Sequence, residues 1–374
     1  MTTTHSRTKS KSNIINVLDI IDSNHLAKMI GTNLFLVLNQ SYEFKTSLLL
    51  TMDLKELICE NEGVKECLEL LPDASDTQIA AFLTWTAVRP WTVENMIACA
   101  NFMRSKASVI DLPDGIDLVG TGGDGHSTIN VSTISSLVAA SLGIKITKHG
   151  SRSSSSKCGS ADFLEALGYD FMESIESIQS TYDKHNFAFL YAPKFHPTMN
   201  KLKCIRKELG FPTLFNIMGP LTNPSNPSKA VIGVAKPEWG LLMAKSLIEL
   251  SYEKAMVVCG HECLDEISPS GFTHVWYVEN KSITTGSISP KDFNLECHSL
   301  ASITGGDSQH NLSLFQQFLS NCDDVPAIRD VICINVAALL WVNDSTPLAK
   351  GAEITLNHIK SGKFEYWLGL LLNK

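Results

Sequence analysis

The sequence predicts an α/β protein: a small all-helical domain, then a large α/β domain with a central, mainly parallel sheet. Three observations carry that expectation. From Leu54 to Ala107 the apolar residues recur at helical spacing. From Ile116 onward, short apolar runs alternate with helical stretches, the pattern of a parallel sheet wrapped by helices. Between Asp117 and Glu165, three small-residue loops follow closely on one another: GTGGDGHSTINVST, KHGSRSSSSK and CGSAD.

The elements can be justified in order. Residues 1–13 are rich in Ser, Thr, Lys and Arg without an acid, and are expected to form a disordered tail. A transit peptide has thin support, since Arg7 is the one arginine there. Residues 1–51 are an extension whose apolar clusters, Ile14–Ile21 and Leu34–Leu38, fit no clear element. Residues 52–115 are the expected helical domain. In DTQIAAFLTWTAV, Ile79, Phe82, Leu83 and Thr86 or Ala87 share one face, with Ser75 or Asp76 as the N-cap. Pro90 ends that helix, and Thr92 with Asn95 opens the next. Residues 116–374 form the expected α/β domain. Strands are predicted at Ile116–Val119, Ile144–Thr147, Phe187–Tyr191, Val231–Val234 and Ala255–Cys259. Helices are predicted at Val131–Leu142, Phe163–Gly168, Met199–Leu209, Gln309–Leu319, Ala327–Val342, Leu348–Ser361 and Phe364–Leu372. His274–Leu300 reads as alternating β-like pieces.

Composition excludes several classes. A formal net charge of −8 and a pI near 5.8 oppose a general nucleic-acid binder. No apolar run approaches the about 18 residues that span a bilayer; Val331–Val342, interrupted by Asn335, reads as a buried helix. The ten cysteines are scattered with no CxxC pair, which points to reduced thiols in the cytoplasm rather than a disulfide framework.

Within this acidic chain, residues 120–161 carry one acid, Asp124, against Lys145, Lys148, Arg152 and Lys157. Glycines, hydroxyls and local positive potential are what a polyanion requires. GTGGD can cup a pyrophosphate. Asn130, Ser132 and Thr133 stand at a helix start, where N–H groups attract phosphate, although plain N-capping explains them equally well. GTGGD, KHG and CGHECLDE each follow a strand, and ligands of parallel sheets sit at the strands' carboxyl ends. Asp265-Glu266 can hold a magnesium ion that bridges phosphate oxygens. Cys259, His261 and Cys263 lack the second pair that a zinc site needs. Gly305–Asp307 reads as turn and capping chemistry. Arg206 is suited to a planar carboxylate, but its spacing among Lys201, Lys203 and Lys207 equally fits a solvated face.

Taken together, GTGGDGHSTINVST, KHGSRSSSSKCGSADFLEALG, FHPTMNKLKCIRKELG and FNIMGPLTNP resemble the motifs of the anthranilate phosphoribosyltransferases, from about Asp73 to near the C-terminus. The resemblance implies a nucleoside-phosphorylase-like (type III phosphoribosyltransferase) fold, usually a homodimer, whose small domain also takes in about residues 200–228. It implies transfer of the phosphoribosyl group of 5-phosphoribosyl 1-pyrophosphate to the amine of anthranilate, in tryptophan biosynthesis. It assigns the donor to Gly120, Gly123, Asp124, Thr128, Asn130, Val131, Ser132, Thr133, Lys148, His149, Gly150, Ser151, Arg152, Ser153, Ser154, Ser155, Ser156 and Ser160. It assigns anthranilate to Gly120, Ser151 and Arg206, and two magnesium ions to Ser132, Asp265 and Glu266. No residue is a firm general base. One departure stands out: the family usually has asparagine after KHG, where this chain has Ser151. The alternatives are a nucleoside phosphorylase of similar fold and a non-catalytic relative that binds nucleic acid. No nucleic-acid or membrane partner is expected for the main reading.

Overall fold

The computed structural model describes residues 64–153 and 156–373. The tail, the extension, the first residues of the helical region, and Ser154 and Ser155 therefore lie outside the described residues. The chain divides into two compact units between Arg89 and Pro90, inside the stretch that the sequence pattern reads as one helical region.

In the first unit, helices α1 (Val64–Leu70) and α2 (Asp76–Val88) carry the expected pattern. Ser75 caps α2 with a reciprocal capping box: its hydroxyl accepts from Gln78 N, and the Gln78 side chain accepts from Ser75 N. Ile79, Phe82, Leu83 and Thr86 are buried as the spacing requires, and Trp85 joins them.

The second unit opens with α3 (Val93–Ser105), capped by the Thr92 hydroxyl on Asn95 N. Its centre is a seven-stranded sheet: β1 (Ile116–Gly120), β2 (Ile146–Gly150), β3 (Phe187–Tyr191), β4 (Lys229–Gly233), β5 (Lys254–Gly260), β6 (Thr273–Glu279) and β7 (Ser282–Ile288), in the order β3-β2-β1-β4-β5-β6-β7. The pairs from β3 through β5 are parallel, and β5–β6 and β6–β7 are antiparallel. The β-like pieces expected at His274–Leu300 resolve into β6 and β7. These are joined by a tight turn at Asn280 and Lys281, both at positive φ (54° and 56°), the twist that two-residue hairpins favour.

Strands β4 and β5 are continuous apolar runs, buried on both faces as parallel strands must be. One face packs against α4 (Val131–Ser141) and α11 (Pro326–Asp344), with α5 (Ser160–Ala166), α10 (Ser308–Ser320), α12 (Leu348–Lys360) and α13 (Lys363–Leu372) completing that layer. The other face packs at β3 against α6 (Ile175–His185) and α7 (Ala192–Phe195), and at β5 and β6 against α9 (Pro237–Glu249). Helix α8 (Met199–Leu209) ends at Gly210, as read from the sequence. Helix α11 is long and apolar enough to cross a membrane, yet 78% of its apolar window is buried inside the protein, which makes it a core helix.

The sequence reading places no helix at α6 or α9, although Ser174 caps α6 by accepting from Ser177 N and α9 starts on Pro237 ahead of an apolar face. Strand β2 runs from Ile146 to Gly150, two residues later than the pattern suggests, so Lys148, His149 and Gly150 are its last residues rather than a loop after it.

One pairing sets the site. Strand β1 matches β4 over five residue pairs, and β2 matches β3 over five, but β1 and β2 match only at Ile116–Ile146. Past that pair no regular ladder forms between them, which leaves a splay in the hydrogen bonding. The chain also reverses direction across the sheet here, with β2 and β3 on one side and β4 onward on the other, which is where open α/β sheets place their ligands.

Candidate active site

Side chains along a strand alternate between faces. Ile116, Leu118 and Ile146 belong to the core on the α4 side, so Lys148 points that way and Asp117, Thr147 and His149 point the other way. The splay is filled from both faces. On the α4 side, the Lys148 ammonium donates to the Leu118 carbonyl at 2.7 Å and to the Ser132 hydroxyl at 3.2 Å. On the opposite face, the Asp117 carboxylate accepts from His149 N at 3.2 Å and from the Asn223 amide at 2.8 Å. Asn223 also donates to the Thr147 carbonyl at 2.7 Å. Lys148 is thus a buried residue, 1% exposed, and not a solvated one.

Burial governs the charges. It pulls the Lys148 ammonium down to about 8 against the attraction of Asp117, Glu266 and Asp265. It pushes Asp117 up to about 6, opposed by Lys148 and by the two hydrogen bonds. His149 donates through Nδ1 to the Gly219 carbonyl at 3.1 Å if that nitrogen carries the proton. Burial, with His196 at 5.4 Å between ring centres, pushes the His149 imidazole down to about 3, so the ring is neutral at ordinary pH.

Two glycines let the acids come close. A Cβ at Gly120 would lie 2.2 Å from Asp265 Oδ2, and one at Gly233 would lie 1.6 Å from the Asp265 carbonyl oxygen. Only bare backbone at the ends of β1 and β4 leaves room for the segment after β5. Asp265 Oδ2 accepts from Gly122 N at 2.6 Å. Burial and the neighbouring Asp124 push Asp265 up to about 7. Glu266 is raised well above the usual range by burial, then by Asp265 and Asp124, against a pull from Lys148. Its buried Oε2 has no hydrogen-bond partner among the described residues. A buried carboxylate oxygen without a donor is costly, and a cation would relieve it.

Magnesium therefore fits the residues present. Asp265, Glu266 and the Ser132 hydroxyl offer hard oxygens, with Asp124 beside them. Among the described residues no three His, Cys, Asp or Glu side chains form a ready-made cage. That suits an ion completed by substrate phosphates and water rather than by protein alone.

The remaining expected residues are placed as follows. Asn130 stands at the N-cap of α4 but makes no side-chain cap. Its amide donates to the Cys158 carbonyl at 3.2 Å, and its oxygen accepts from Asn311 at 2.9 Å. It therefore ties the first loop to the CGSAD loop and to α10, which plain capping would not do. Val131 and Thr133 are buried. Asp124 accepts from His126 N at 3.1 Å, and Thr128 pairs with Thr304. Gly123 has φ of 79°. Gly305–Asp307 does serve turn and cap chemistry, with Asp307 accepting from His310 N at 2.9 Å.

In the KHG loop, the Ser151 carbonyl accepts from Ala161 N at 3.2 Å. Ser153 N donates to Asp162 at 2.8 Å, the Ser156 hydroxyl donates to the Cys158 carbonyl at 3.4 Å, and Ser160 begins α5. Arg152 is held by Asp162 at 3.0 Å and by both oxygens of Glu165 at 2.8 Å. In this state Arg152 braces its loop instead of presenting a free cation. Arg206 lies half-buried on α8, with Nε buried and unpartnered and the guanidinium pKa lowered by that burial. No hydrogen bond among the described residues links it to the Lys148–Ser132 cluster.

Sequence reasoning assigns no role to Asp117 or Asn223. A lone acid inside an apolar strand was the available signal, because a buried carboxylate must find donors.

Glycine-lined strand ends, a buried strand-end lysine that reaches a helix start, and carboxylates suited to magnesium define a glycosyl-transferring enzyme of α/β type. A model described as glycosyl transferase family, a/b domain, matches residues 112–364. The chain belongs to the anthranilate phosphoribosyltransferase family. It is 43% identical over 253 residues to the anthranilate phosphoribosyltransferase of Schizosaccharomyces pombe, covering 67% of this chain and 72% of the relative. The crystal structure of the Thermus thermophilus anthranilate phosphoribosyltransferase superposes with a TM-score of 0.79 at 32% identity, covering 86% of this chain and 98% of that one. The Saccharomyces cerevisiae enzyme in complex with PRPP and Mg gives a TM-score of 0.73 at 32% identity, covering 87% and 90%.

Proposed function

We propose that this chain transfers the phosphoribosyl group of 5-phosphoribosyl 1-pyrophosphate to the amine of anthranilate, giving N-(5-phosphoribosyl)anthranilate and pyrophosphate, as a step of tryptophan biosynthesis. The observation that carries the reading is the meeting of Gly120–Gly122, Ser132, Lys148, Asp265 and Glu266 at one splay of the sheet. A yeast relative solved with PRPP and Mg, and again with 4-fluoroanthranilate, supports the same pair of ligand classes. We assign two magnesium ions to Ser132, Asp265 and Glu266. We further propose a homodimer in the cytoplasm; the nine described cysteines are all free thiols, which supports a reducing compartment.

An aromatic amine is neutral at pH 7 and is already a nucleophile. The demanding step is departure of pyrophosphate and the positive ribosyl carbon that develops. Bound magnesium would neutralise the leaving group's growing charge. The chain supplies the rest. The GTGGD loop leaves open space at Gly122 and Gly123, so that phosphate oxygens can approach its backbone closely. Lys148, buried and held by Leu118 and Ser132, adds a fixed positive charge. The cleft holds donor and acceptor in line, which alone supplies several orders of magnitude in rate. The neutral His149 ring cannot serve as a strong base, and no residue is assigned as general base.

The test follows anthranilate fluorescence on adding protein, phosphoribosyl pyrophosphate and magnesium, with each omitted in turn. Fluorescence should fall only in the complete mixture. Asp265→Ala with Glu266→Ala should abolish turnover while leaving the circular dichroism unchanged. Phosphorolysis of thymidine or uridine, with no anthranilate consumed, would support the phosphorylase alternative instead.

A further inference from the structure

We propose that Asp117 is a positioning residue for the transfer reaction: its buried carboxylate takes the place of the missing β1–β2 ladder and fixes the carboxyl end of β2, and so Lys148, against the start of α4. The proposal rests on the transferase reading above. Its ground is geometric. Strands β1 and β2 pair only at Ile116–Ile146, so the next residues of β2 have no backbone partner on β1. At that gap Asp117, 1% exposed, accepts from His149 N through one oxygen and from Asn223 through the other. Asn223 is itself saturated. It donates to Asp117 and Thr147, and its oxygen accepts from Ser225 N and the Ser225 hydroxyl at 2.9 and 2.8 Å.

A side chain that substitutes for backbone pairing has two effects. It stands in for the ladder bonds that β1 and β2 do not make. It also fixes the direction in which the next residue points. Lys148 directly precedes the amide that Asp117 holds, and its ammonium spans back to Leu118 O and on to Ser132. If the β2 end shifts, the donor loses the lysine and the α4 start together, while the acceptor side of the cleft keeps its own contacts.

The experiment compares Asp117→Asn, Asn223→Ala and the unaltered chain. In Asp117→Asn the new amide faces the Asn223 amide donor to donor, so the link breaks. In Asn223→Ala the Asp117 carboxylate keeps His149 N but loses its second donor. Asp117→Asn should raise the KM for phosphoribosyl pyrophosphate about tenfold, the usual loss for a hydrogen bond to a charged group, with the KM for anthranilate within about twofold. Asn223→Ala should raise the same KM about threefold. If Asp117→Asn does not fold, Asn223→Ala carries the test. An unchanged donor KM in a folded variant, or equal losses for both substrates, would each overturn the proposal. Absence of turnover in the unaltered chain would instead sink the transferase reading, so the two failures are distinguishable.

Discussion

Asp265 and Glu266 hold their protons more tightly in the folded chain than in an unfolded one, because burial and mutual repulsion disfavour their charged forms. For Asp265 this contribution to stability is complete below about 4 and is lost as pH rises through about 7. Magnesium binds the ionised form, so it should offset that loss and release protons as it binds. The rise in melting temperature produced by magnesium should therefore be larger at pH 8 than at pH 6. An equal or smaller rise at pH 8 would count against these carboxylates as the ligands. At Ser151, a longer side chain would extend from the KHG loop toward the acceptor. Ser151→Asn should lower the KM for anthranilate by about threefold, the scale of one neutral hydrogen bond; no change or a rise would defeat that expectation. At this scale the sequence was partly legible. Lys148 announces itself by charge beside a tight turn at glycine, and Asp265-Glu266 as adjacent acids after a strand. The partners of Arg152, namely Asp162 and Glu165, and the link from Asp117 to Asn223 do not, because they join residues through folding.

Among the elements, the strand ends carry the tightest constraint. At Gly120 an added methyl meets the tip of a side chain, which can swing aside, whereas at Gly233 it meets backbone. Both Gly120→Ala and Gly233→Ala should destabilise, by about 1–3 kcal/mol for the milder case. Urea denaturation should rank Gly233→Ala as the worse. Gly120→Ala should also lose magnesium-dependent turnover, since Asp265 is the group displaced. A reversed ranking would mean that the segment after β5 yields more readily than the carboxylate. Helices α2, α3 and α11 could be read directly from the residues, α2 and α3 by their Ser75 and Thr92 caps and α11 by its long apolar run. The exact start of β2 could not, because its limits are set by pairing with β3 rather than by local preference.

For the whole molecule, the fold class and the order of strands and helices follow from the alternation of periods in the sequence, and the ligand cleft follows from the strand order. The splay itself is invisible there, since register is a property of two strands at once. A protein whose site depends on an added ion, but whose core does not, should lose activity reversibly. Chelation of magnesium should stop turnover with the helical signal intact, and added magnesium should restore it. Loss of the helical signal on chelation would instead make the ion a structural one.

Helix α11 has a further consequence. It packs on strands that precede it by about eighty to about two hundred residues, and it supplies much of the layer covering β4, β5 and α4. During synthesis, β1 through β5 emerge from the ribosome well before the stretch that shields them. The nascent chain must therefore carry an uncovered greasy sheet until translation has passed residue 344, and this is the interval in which chaperones would be needed most.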